Sequence, residues 1–142
     1  MLIYLRRFLL IIIFLENIQK KKIIICDLEN PKKFNNKNIY LSTRSYFSKL
    51  KSNIDVVFNS NSLSEMSKKD VKYYFKYINL FKSKYIYHQN SDVLLYPNSL
   101  RHIEILAKDF PVNKKKYKLI LKNMSLWGSG SGRYREYLYK RF

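Results

Sequence analysis

The sequence predicts an α/β domain built on a mostly parallel sheet flanked by helices. Three observations predict it. The apolar runs "IIIC" at 23–26 and "DVVF" at 55–58 are rich in β-branched residues and lack polar alternation, as strands covered on both faces do. Amphipathic helical patterns follow two of the candidate strands, and strand with helix in alternation implies a parallel-rich sheet. A chain of 142 residues holds one core and has no room for a second, so a single domain over 1–142 is expected.

Along the chain, residues 1–19 read as an apolar helix. The apolar residues from Leu2 to Ile18 are nearly continuous, so no single face can be assigned, and the length favours a helix packed on several sides. The apolar stretch Phe8 to Leu15 is shorter than the roughly 20 residues a spanning helix needs. A secretory leader would fit Arg6 and Arg7 ahead of it, but Glu16, Asn17 and Gln19 stand where small residues should precede a cleavage site. No spanning membrane segment and a cytoplasmic location are expected, with an interfacial anchor over 1–15 as the minority reading.

Residues 20–122 carry the alternation. "IIICD" is a first strand closing on Asp27, and "ENPKKFNNKN" is a loop. "IYLS" at 39–42 is a short second strand, followed by a weak helix or turn in "STRSYFSKLKSN". "IDVVFN" at 54–59 is a third buried strand. The helix after it is the best specified: Ser67 with Asp70 has the form of a capping box, and Val71, Tyr74, Phe75, Ile78 and Phe81 recur at helical spacing. "KYIYHQN" at 84–90 is a fourth strand, "SLRHIEILAKDF" a second amphipathic helix from about Ser99 to Phe110, and "YKLILKN" from Tyr117 a fifth strand. Residues 123–142 form a glycine-rich turn and an aromatic-basic tail, "RYREYLYKRF", which reads equally as an edge strand or a packing helix.

Composition narrows the function classes. Lys and Arg outnumber Asp and Glu by 28 to 10, a formal net charge of +18, which attracts polyanions. The lysines are scattered, and the wealth of Lys, Ile, Asn, Tyr and Phe is what adenine- and thymine-rich coding produces, so specific recognition does not follow. The single cysteine, Cys26, excludes an internal disulfide and lies in an apolar run, as a small core residue in a reducing compartment would. No metal-ligand spacing, Ser-His-Asp order or Cys-His pair is present. "GSGSG" at 128–132 lacks the strand-to-helix context of a phosphate loop and reads as a hinge.

Two strand ends carry chemistry, because ligands bind outside the carboxyl ends of strands in open α/β sheets. Asp27 could accept hydrogen bonds from ribose hydroxyls, although a turn cap explains it as readily. Asn59, Ser60, Asn61 and Ser62 would form a polar rim where the third strand stops. Glu65 beside them could take a proton from a ligand hydroxyl, or merely place a favourable charge near a helix start; the two readings weigh evenly. His88 and Asn90 would share that edge. His88 could act as a general base, and a hydrogen-bonded structural role is the commoner one for such a residue.

The stretch "DVVFNSNSLSEMSKKDVKYYFKYI", continued by "YIYHQN", resembles the sugar O-methyltransferases that depend on S-adenosylmethionine. "CDL" at 26–28 and the closing "YREYLYKRF" are consistent with it, and the resemblance covers roughly residues 15–142. It implies a Rossmann-like sheet, with Asp27, Asn59 and Ser60 toward the methyl donor and Ser62 and Asn90 toward a sugar or glycan substrate. Glu65 and His88 are the catalytic candidates it implies. The reaction would serve glycan or surface-polysaccharide synthesis.

Such families open with a strand and a glycine-rich turn, and this chain has no glycine before Gly128. The expectation is therefore a domain incomplete at its N-terminus, with weak or absent activity for the chain alone. The alternative is a small basic protein without catalytic activity that binds nucleic acid non-specifically through its lysines and aromatic tail.

Overall fold

The computed structural model describes residues 23–26, 39–42, 54–93, 105–125 and 132–142. The chain divides into two compact units, Met1–Leu50 and Lys51–Phe142. In the first unit the described residues are two strands, β1 (Ile23–Cys26) and β2 (Ile39–Ser42), both predicted. They pair in parallel, with Ile23 opposite Ile39 and Cys26 opposite Ser42. The helix expected over 1–19, Asp27 and the weak helix or turn over 43–53 lie outside the described residues.

The second unit holds β3 (Val56–Ser60), α1 (Lys68–Ile78), β4 (Tyr85–Ser91), β5 (Tyr117–Met124) and β6 (Tyr134–Arg141). Its four strands form one sheet in the order β3-β4-β6-β5. β3 and β4 run parallel, joined through α1 as a βαβ unit, with Val56 opposite Tyr85 and Ser60 opposite Gln89. β6 lies between β4 and β5 and is antiparallel to both.

α1 forms where its signals stand. Ser67 is the N-cap, its hydroxyl accepting from the Asp70 N–H at 3.1 Å while donating to the Asp70 carboxylate at 2.9 Å. Val71, Phe75 and Ile78 are buried, and Lys68, Lys69, Lys72 and Lys76 face solvent. Burying each of those three apolar side chains contributes roughly 1.5–3 kcal/mol. The ring of Phe110 joins this helix to the sheet, with its centroid 5.6 Å from Phe75 of α1 and 4.8 Å from His88 of β4.

Three expectations are corrected. The described residues do not form a Rossmann-like, mostly parallel sheet flanked by helices. The four-stranded sheet is mixed, two of its three strand pairs are antiparallel, and α1 is the one α-helix described. The physical reason lies in the tail. "YREYLYKR" is a tyrosine-rich strand, as such residues favour, and it lies between β4 and β5, antiparallel to both.

The second amphipathic helix is also absent over 105–110, where the chain is extended apart from a single 3₁₀ turn at Ala107–Asp109. Ile105, Ala107, Phe110 and Val112 are buried there, and Pro111 holds Phe110 in an extended conformation (φ −60°, ψ 137°). Last, the tail is neither an edge strand nor a helix. Among the described residues, no helix is long and apolar enough to cross a membrane.

Candidate functional site

The parallel pairing of β3 and β4 sets their carboxyl ends side by side, so Asn59 and Ser60 stand opposite His88 and Gln89. β3 then breaks at Asn61, whose φ of 57° is left-handed, a conformation asparagine tolerates better than most residues. The Asn61 N–H donates to the Gln89 carbonyl at 2.8 Å, which ties the break to the neighbouring strand. Ser62 precedes a short 3₁₀ turn, Leu63–Glu65, that leads toward α1.

These residues knit a polar rim. Asn59 Nδ2 donates to Ser62 Oγ at 2.5 Å, and Asn59 Oδ1 accepts from Asn90 Nδ2 at 2.9 Å. Asn90 is fully buried and its Oδ1 accepts from the Ser64 N–H at 3.1 Å and the Ser64 hydroxyl at 3.3 Å. Ser60 Oγ donates to Gln89 Oε1 at 3.4 Å. A buried amide satisfied on both ends fixes geometry, because leaving either end unpaired would cost about 1–3 kcal/mol.

Asn59, Ser62 and Asn90 are thus brought together as the sequence suggested, whereas Ser60 pairs with Gln89 instead. Glu65 lies at the end of the 3₁₀ turn, exposed to solvent. Asp27 lies outside the described residues. Ser64, absent from the sequence reading, proves to be the link between Asn90 and the N–H of Ser91, which donates to Ser64 Oγ at 3.3 Å. Nothing in "NSLSEM" distinguishes Ser64 from its neighbours, since its importance depends on the partner strand.

Asn61 differs from the rest of the rim. Its Oδ1 is buried and has no donor. An orphaned buried acceptor costs free energy in the isolated protein and is met by any hydroxyl or amino group that reaches it.

His88 sits beneath the rim rather than on it. It is 1% exposed, stacked on Tyr137 (4.8 Å, 19°) and packed against Phe110, and neither ring nitrogen has a hydrogen-bond partner. Burial drives its pKa from the ordinary 6.5 down to about 4, opposed by the nearby charge of Asp92. A neutral imidazole closed off from solvent does not reach a ligand proton in this arrangement.

Two further residues matter that the sequence reading passed over. Asp92, just beyond β4, accepts from the Tyr137 hydroxyl at 2.6 Å and from the Lys108 N–H at 2.7 Å. Burial pushes the Tyr137 hydroxyl well above its usual pKa, reinforced by that hydrogen bond to Asp92. The signal was the pairing of β4 with β6, which the tail did not disclose by itself.

No protein-family model matches the chain, and no curated protein matches it.

Proposed function

We propose that the chain acts in S-adenosylmethionine-dependent methyl transfer to a sugar hydroxyl, with the rim at the carboxyl ends of β3 and β4 facing the reacting centre. The observation that carries the reading is the unpaired, buried Oδ1 of Asn61 in a rim otherwise knit from Asn59, Ser62 and Asn90. Asn61 as a residue is only half-buried, so a turn of its side chain would bring Oδ1 to the surface of the rim, where a ribose hydroxyl or an amino group of the methyl donor is the donor it lacks. S-adenosylmethionine supplies the electrophilic methyl group.

The residues of the chain bind, orient and take the proton. Asn61 accepts a hydrogen bond from the methyl donor, and Ser60 and Ser62 offer hydroxyls at the mouth. Glu65, exposed at the end of its turn, would take the proton of the sugar hydroxyl, and the bound methyl donor would supply the methyl group. Asn90 and Ser64 hold these groups in register. On this reading His88 supports the floor of the site, and the reaction runs in the cytoplasm on a glycan or surface-polysaccharide precursor.

The test is a titration of the isotopically labelled chain with S-adenosylhomocysteine, followed by backbone amide chemical shifts. Shifts concentrated at residues 59–65 and 88–91, and lost in Asn61→Ala, are expected. No shift at these amides with millimolar ligand would refute the proposal, as would shifts that survive the substitution.

A further inference from the structure

On the sheet face that carries His88, β5 and the segment before it enclose a cleft of about 450 Å³, within the usual range for a small-molecule site. Lys108, Lys114, Lys118 and Lys122 line it, and no acidic residue does. Tyr117, Leu119, Tyr137, Tyr139 and Phe142 also line it, and its exposed apolar surface comes from Leu119 and Phe142, 40% and 76% exposed. Lys122 lies 3.8 Å from Asp92 and 5.4 Å from the ring centre of Tyr137. Among the described residues, no carboxylate stands within ion-pair distance of Lys114 or Lys118.

Like charges gathered in one cleft repel each other, and an anion carrying two or more charges relieves that repulsion at several ammonium groups at once. An anion alone would leave the aromatic surface unused. A phosphorylated ligand with a flat ring uses both, since lysine holds phosphate as a compact point charge and an exposed Phe offers a stacking face. The cleft is compact, which favours one nucleotide over an extended strand.

From these contacts we infer that the cleft binds a nucleoside diphosphate, with Lys114 and Lys118 on the phosphates and Phe142 against the base. The inference is independent of the methyl-transfer reading, because the lining residues are separate from the rim.

Calorimetric titration of the full chain with ADP, inorganic pyrophosphate and a short oligothymidylate tests it. One ADP should bind per chain. The double variant Lys114→Gln/Lys118→Gln should weaken ADP about tenfold, whereas Lys69→Gln/Lys72→Gln, which removes the same charge from the exposed face of α1, should change it by less than about twofold. Phe142→Ala should weaken ADP and leave pyrophosphate unaffected. All four lysines are exposed, so these variants keep the fold. Absence of ADP binding, equal weakening by both lysine pairs, or oligothymidylate binding that ADP does not displace would each overturn the inference.

Discussion

The buried imidazole of His88 should make the protein lose stability in mild acid, and His88→Phe should remove that loss. The sign follows from the direction of the pKa shift. In the unfolded chain the imidazole titrates near 6.5, whereas in the fold burial holds it near 4. Protonation therefore favours the unfolded state. Its destabilising effect is absent above pH 6.5, grows as the pH falls through the window between the two values, and is complete below about 4. At pH 5 the difference in proton binding amounts to about 2 kcal/mol, and the full window to roughly 3 kcal/mol, at 1.36 kcal/mol per pKa unit. Either figure is a sizeable part of the 5–15 kcal/mol typical of a folded domain.

Phenylalanine keeps a ring between Phe110 and Tyr137 and removes both unpaired nitrogens. Urea unfolding at pH 7.5, 6 and 5 measures the effect. The wild-type midpoint should fall across this series, and the His88→Phe midpoint should stay nearly level. Equal slopes in the two proteins would refute the reasoning, as would an NMR titration placing the His88 pKa at 6 or above.

Two other substitutions test the scaffold. Asn90→Ala removes the amide that serves Ser64 and Asn59 together, and should cost about 2–3 kcal/mol in urea unfolding at pH 7.5. Ser67→Ala removes the acceptor for the Asp70 N–H at the start of α1. It should cost about 1 kcal/mol by the same measurement, without altering the shifts induced by S-adenosylhomocysteine.

Local signals were legible and long-range ones were not. Ser67, Asp70 and the spacing of Val71, Phe75 and Ile78 specified α1 because every determinant lies within one helix. The ends of β3 and β4 were placed within a residue or two, because a β-branched or aromatic run followed by small polar residues marks its own boundary. The polar rim was readable for the same reason.

The direction of β6 was not readable, because strand polarity is decided by the neighbour that a strand pairs with. Tyr137 and Tyr139 find theirs in His88 and Ile86, some fifty residues earlier. The segment around Leu106 misled through composition, since its apolar spacing suits a helix while Pro111 and the burial of Ile105, Ala107 and Phe110 favour an extended path. His88 was visible as a titratable residue at a strand end. Its enclosure by three aromatic rings, two of them from β6, depended on the same unread pairing.

The place of β6 also sets a timetable for synthesis. During translation β3, α1, β4 and β5 leave the ribosome first, yet β4 and β5 are never hydrogen-bonded to each other and are joined only when residues 134–141 arrive to stand between them. Until then two tyrosine- and leucine-bearing edges face solvent unpaired, the condition in which nascent chains recruit chaperones or stick to one another. A premature stop between Met124 and Tyr134 would leave this sheet split down its middle rather than trimmed at its margin.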